Sequence, residues 1–296
     1  METINHILFS FLFLFVLSSC GGKADKKKDT VQTNAIPENT IPFEYDEKQL
    51  RAIIIKGTLN DTLPINIFFD TGLNDSRIIV PDILKKSLEI DSYLVQMNSE
   101  LSRVQKVFFL DSDNVFFQFF GQNTVCIGFD FFEDKIIRIS YRQKYIQKLD
   151  NTEGLEGYMC LPFKIEDNCE RCLGVEIEAF VQGKHIKEVV LLDTGSNGFV
   201  TFNNNIIEKY SINVDDVQRV QTLNISRRKY SLHADSIKVG YAISNNQMTV
   251  EFSAENREKY PHSGILGNAF LENFEVILDF KNYKMYLKPN TSMMQE

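Results

Sequence analysis

Apolar residues along this chain gather in short runs separated by polar turns, and sustained helical periodicity is rare. IIIKG (53–57), INIFF (65–69), VVLL (189–192), FEVILDF (274–280) and KMYLK (284–288) are rich in β-branched and aromatic side chains. Runs of that length and composition predict strands. INIFF and VVLL are continuously apolar, as strands buried on both faces are. Asn60-Asp61 and Gln182-Gly183 interrupt apolar runs and predict two hairpins, RAIIIKGTL with INIFF and VEIEAFV with EVVLL. Short helices are predicted at 81–89, where Pro81 suits a first turn, and around 204–210. Residues 151–172 carry little periodicity. The class is mainly β.

The same pattern occurs twice. Residues 63–86, LPINIFFDTGLNDSRIIVPDILKK, match 186–209, IKEVVLLDTGSNGFVTFNNNIIEK, with Asp70 on Asp193. Downstream, TVCIGFDFFEDKIIRISYRQKYIQK from 124 matches SGILGNAFLENFEVILDFKNYKMYLK from 263. Gly128 then falls on Gly267, and Phe131-Phe132 on Phe270-Leu271. Two matched blocks in the same order are a duplicated module. In each copy a buried strand ends in Asp-Thr-Gly, where glycine permits a sharp turn that leaves the carboxylate pointing out.

The residues Phe69-Asp70-Thr71-Gly72 and Leu192-Asp193-Thr194-Gly195-Ser196, with Ile127-Gly128 and Ile265-Leu266-Gly267 downstream, resemble the aspartic proteases, in particular the retropepsin-like group. The resemblance covers about residues 43–290. It implies a two-lobed fold, each lobe a small closed β-barrel with short helices, and Asp70 facing Asp193 where the lobes meet. It implies that Thr71 and Thr194 interlock the two loops, with Gly72, Gly195 and Ser196 shaping them. Ile127-Gly128 and Leu266-Gly267 are implied to cross beneath the loops and brace them. The implied activity is an endopeptidase needing neither cofactor nor metal: two close carboxylates share a proton, and one activates a water. The first copy departs from the pattern. Leu73 stands where the second copy has Ser196, and Ser140-Tyr141 where it has Asp279-Phe280. Leu73 favours a second reading, a binding protein that keeps the cleft without turnover. Segments 104–120 and 227–243 are the candidate flaps.

Composition narrows the partners. A formal net charge of −8 gives no electrostatic reason for nucleic-acid binding. A peptide or protein substrate and a monomer carrying both copies are the expectation. At the amino terminus the apolar run ILFSFLFLFVL (7–17) is too short to span a bilayer and suits a secretory signal. Leu17-Ser18-Ser19-Cys20-Gly21 then resembles a bacterial lipobox, although METINH lacks the usual basic residue. That resemblance implies cleavage before Cys20, acylation of Cys20 by palmitate-type chains, and an envelope protein anchored to a membrane. The organisation reads as signal peptide 1–19, lipidated Cys20 and tether 20–42, first lobe 43–150, link 151–172 and second lobe 173–290. Cys126, Cys160, Cys169 and Cys172 remain, and an envelope location allows a disulfide clip among the last three.

Overall fold

The computed structural model describes residues 37–48, 50–82, 93–97, 100–104, 106–166, 169–214, 218–221, 226–240, 242–244, 248–254 and 262–290. The signal, Cys20, most of the tether and most of the helix expected at 81–89 lie outside them.

The first half opens with β1 (Thr40–Glu44), β2 (Ile54–Leu59), β3 (Leu63–Phe69) and β4 (Arg77–Pro81). It continues through β5 (Tyr93–Met97), β6 (Glu100–Val104), β7 (Lys106–Leu110) and α1 (Val115–Phe120). It closes with β8 (Thr124–Ile127), α2 (Phe129–Phe132), β9 (Ile136–Ser140) and β10 (Tyr145–Leu149). The second half holds β11 (Met159–Pro162), β12 (Lys164–Glu166), β13 (Cys169–Val181), β14 (Lys184–Leu192) and β15 (Val200–Phe202). After α3 (Asn205–Lys209) come β16 (Gln218–Gln221), β17 (Ser226–Ala234), β18 (Ser236–Val239), β19 (Ala242–Ser244) and β20 (Met248–Ser253). It ends with β21 (Gly264–Leu266), α4 (Asn268–Leu271), β22 (Phe274–Asp279) and β23 (Lys284–Pro289).

Both predicted hairpins form. β2 pairs with β3 and β13 with β14, antiparallel in each case. Their turns place Asn60 (φ 50°) and Asp61 (φ 61°), and Gln182 (φ 52°) and Gly183 (φ 70°), in the left-handed region. Two successive left-handed residues match the twist of the flanking strands. Each Asp-bearing strand is then buried by a parallel neighbour, β3 beside β8 and β14 beside β21. The candidate flaps resolve into β7 and α1 for 104–120, and into β17, β18 and the start of β19 for 227–243.

Two expectations need correction. Residues 151–172 are not a structureless link, because β11 and β12 lie there and β13 starts at Cys169. β11 pairs with β23 as β1 pairs with β10, which makes Leu161-Pro162-Phe163 the counterpart of Ile41-Pro42-Phe43. The repeat therefore begins at 40 in one copy and 160 in the other, and the tether ends before Thr40. Closed barrels are also absent among the described residues: the strand paths run open, from β11 to β7 and from β16 to β19. The physical reason is a change of partner within β1. Thr40–Pro42 pair with β10, while Phe43 and Glu44 pair with β2. β1 thereby links the β2–β3 hairpin of its own half to β10, in the sheet where the halves meet.

That junction is one antiparallel seam. β9 lies beside β22 with Arg138 opposite Ile277, and these two are equivalents under the offset that carries Gly128 to Gly267. A pseudo-two-fold axis thus passes through the pair. Apolar side chains from both halves merge into one core, in which Phe69 packs edge-on against Phe132 at 4.7 Å.

Candidate active site

At the carboxyl ends of β3 and β14 the chain turns out of the sheet with Asp70 and Asp193. Each aspartate N–H is still held by the neighbouring strand: Asp70 donates to the Ile127 carbonyl and Asp193 to the Leu266 carbonyl, both at 3.0 Å. The next residues interlock. Thr71 N–H donates to Thr194 Oγ1, and Thr194 N–H to Thr71 Oγ1, each at 3.0 Å. The Thr71 hydroxyl donates to the Leu192 carbonyl at 2.9 Å and the Thr194 hydroxyl to the Phe69 carbonyl at 3.1 Å. Both threonines are buried, and every hydrogen-bonding group in this four-bond cycle is satisfied across the halves.

The cycle brings the carboxylates together. A Cβ on Gly72 would lie 2.7 Å from Asp193 Cγ, and one on Gly195 would lie 2.5 Å from Asp70 Cγ. Each carboxylate therefore rests against the glycine of the opposite copy. Neither glycine has a positive φ, so both are needed for space and not for an unusual turn. Gly72 N–H donates to Asp70 Oδ1 at 2.9 Å and Gly195 N–H to Asp193 Oδ1 at 2.8 Å. The Asp70 carboxyl is held well above the usual carboxylate range, first by burial, then by the charge of Asp193 and a hydrogen bond with it. The Gly72 N–H and the Arg77 charge oppose the rise.

The glycines downstream pass under both loops. A Cβ on Gly128 would fall 2.6 Å from the Leu73 carbonyl oxygen, and one on Gly267 would fall 2.7 Å from that of Ser196. The residues that follow hold those same oxygens: Phe129 N–H donates to Leu73 O at 2.8 Å, and Asn268 N–H to Ser196 O at 2.9 Å. Leu73 does not project a hydroxyl to Asp70; it packs against a cluster containing Phe68, Phe120 and Cys126.

Several residues at the site were not anticipated. Arg51 pairs with Glu272 at 3.2 Å, and Arg171 with Glu133 at 3.0 Å. The arginines are counterparts and so are the glutamates, so each copy grips the other in the same way. The glutamates were within reach of the sequence, since each follows the aligned pairs Phe131-Phe132 and Phe270-Leu271. Arg171 also contacts Asp75 at 3.1 Å, in the loop after the first Asp-Thr-Gly. A disulfide joins Cys169 to Cys172 around it. Cys126 is buried and its thiol is pushed up by that burial, while Cys160 is exposed.

Among solved structures, an aspartic proteinase from Irpex lacteus is similar, with a TM-score of 0.53 over 86% of this chain and 98% of that one, at 11% identity. At that identity the likeness is one of fold. No protein-family model matches the chain, and no curated protein matches it in sequence.

Proposed function

We propose that this chain is an aspartic endopeptidase that hydrolyses peptide bonds with a water activated between Asp70 and Asp193. The observation that carries the reading is the seating of each carboxylate against the other copy's glycine, fixed by the threonine cycle. Carboxylates that close titrate as a pair, and the raised Asp70 keeps one proton on the pair above the usual carboxylate range. The ionised member takes a proton from water, and the water oxygen bonds to the scissile carbonyl carbon. The protonated member gives its proton to the carbonyl oxygen, forming a tetrahedral diol. Collapse breaks the carbon–nitrogen bond. A carboxyl proton goes to the leaving amine, a diol proton returns to the pair, and the dyad is restored.

The test is cleavage of an acid-denatured protein, with and without a statine-type inhibitor. Inhibitable cleavage at acidic pH supports the reading. Stoichiometric inhibitor binding without cleavage would favour the second reading, a peptide-binding module, which the apolar packing of Leu73 beside Asp70 suggests.

The location forms part of the proposal. Cys20, at the end of the apolar signal run, carries the lipid that anchors the protein in the bacterial envelope. Cys20→Ser should shift the protein from the membrane to the soluble fraction or leave it unprocessed. A processed, membrane-bound mutant would end that idea.

A further inference from the structure

The two Asp loops are not held alike. Under the offset that carries Gly128 to Gly267, Tyr141 corresponds to Phe280 and Phe129 to Asn268. On one side of the pseudo-axis the pair is aromatic: Phe129 and Phe280 meet edge-on with ring centroids 5.4 Å apart. On the other side it is polar: the Tyr141 hydroxyl donates to Asn268 Oδ1 at 2.6 Å. Asn268 is wholly buried, and its side-chain nitrogen donates to two carbonyls, those of Thr194 and Arg51, both at 2.6 Å. Arg51 is a non-glycine residue in the left-handed region, with φ 44°. Both ends of the amide are therefore in use, and a buried amide so satisfied is rigid.

What Asn268 grips bears on the chemistry. The Thr194 carbonyl and the Gly195 N–H belong to one planar peptide unit. That N–H is the donor that holds Asp193 Oδ1 at 2.8 Å. Fixing the carbonyl end of the plane fixes the direction of the donor at its other end. In the first copy the Thr71–Gly72 peptide also presents its N–H to an aspartate, but the Phe129 ring has no donor for the Thr71 carbonyl.

We infer that Asn268 is a positioning residue for Asp193: through the Thr194–Gly195 peptide it aims the carboxylate, and Tyr141 and the Arg51 backbone hold Asn268 in register. The two aspartates are consequently inequivalent, with Asp193 on the polar, fixed side and Asp70 on the apolar side. The catalytic consequence rests on the peptidase reading; the positioning itself does not.

The experiment compares wild type with Asn268→Leu and Tyr141→Phe, following hydrogen exchange of the Gly195 and Gly72 amides together with kcat and KM. Losing the bond to the Thr194 carbonyl should speed exchange at Gly195 about tenfold in Asn268→Leu, with a smaller rise in Tyr141→Phe. Exchange at Gly72 should change much less. If the chain hydrolyses peptides, kcat should fall about tenfold with KM nearly unchanged, the signature of a group that acts in the transition state. Equal acceleration at both glycines, or none at either, overturns the inference, since general loosening would move them together. Tyr141→Phe preserves the packing and decides the matter if Asn268→Leu does not fold. A wild type that cleaves nothing would refute the peptidase reading, and the exchange comparison would still judge Asn268.

Discussion

Asp70 and Asp193 are ordinary residues made unusual by their neighbours. Replacing either with Asn leaves a pair unable to supply both an acid and a base, so D70N and D193N should each abolish hydrolysis while folding persists, as circular dichroism and a peptide assay would show. Stability adds an independent check on Asp70. Its folded pKa is raised, so the native state binds this proton more tightly than the unfolded chain does. The resulting stabilisation is full below the usual carboxylate value, near pH 4, and fades as pH rises through the raised folded value. D70N removes that titration, so its melting temperature should exceed wild type at neutral pH and the gap should narrow in acid. Leu73 acts differently from a serine at the same place in the motif. It is partly buried against the apolar cluster that contains Phe68, Phe120 and Cys126, so Leu73→Ser should cost about 1–3 kcal/mol in denaturant titrations.

At the scale of elements, the site depends on crossings between loops more than on any one strand. Each threonine hydroxyl accepts from the opposite N–H and donates to the opposite strand's last carbonyl. Valine keeps the shape and orphans both partners, so T71V or T194V should lose about 2–4 kcal/mol, whereas serine should retain most of the stability. The Cys169–Cys172 disulfide at the start of β13 flanks Arg171, which reaches Asp75 and Glu133. Opening so small a covalent loop should remove about 2 kcal/mol, read as a lower melting temperature in a dithiol reductant. The exposed ends of these ion pairs contribute little by themselves; their service is to set the register of one loop on another.

For the whole molecule, the seam of β9 with β22 governs what the two copies can do. One chain supplies both aspartates, and its described halves belong to a single compact unit within Ile36–Glu296. Specific activity should therefore be independent of enzyme concentration, and sizing should show a monomer. Activity lost on dilution would mean that the copies pair between chains. The pairing of β1 with β10 and of β11 with β23 extends the seam on either side. Its antiparallel ladder ties residues from the start, middle and end of the chain, so the halves should unfold together in one transition.

The two hairpins that carry the aspartates, the FEVILDF and KMYLK strands, the duplication and the Asp-Thr-Gly residues were legible in the sequence, because each depends on local pattern: run length, left-handed turn residues and a repeated order of apolar and glycine positions. The later start of the second copy, at Leu161-Pro162-Phe163, was legible too but is a match of only three residues. Other features existed only once the copies met. The glycines' role as seats for the opposing carboxylates, the reciprocal Arg–Glu pairs and the buried Asn268 amide all join residues 38 or more positions apart. No local preference encodes such contacts. The open sheets also rest on pairings between distant segments, since β1 passes from β2 to β10 and β11 pairs with β23.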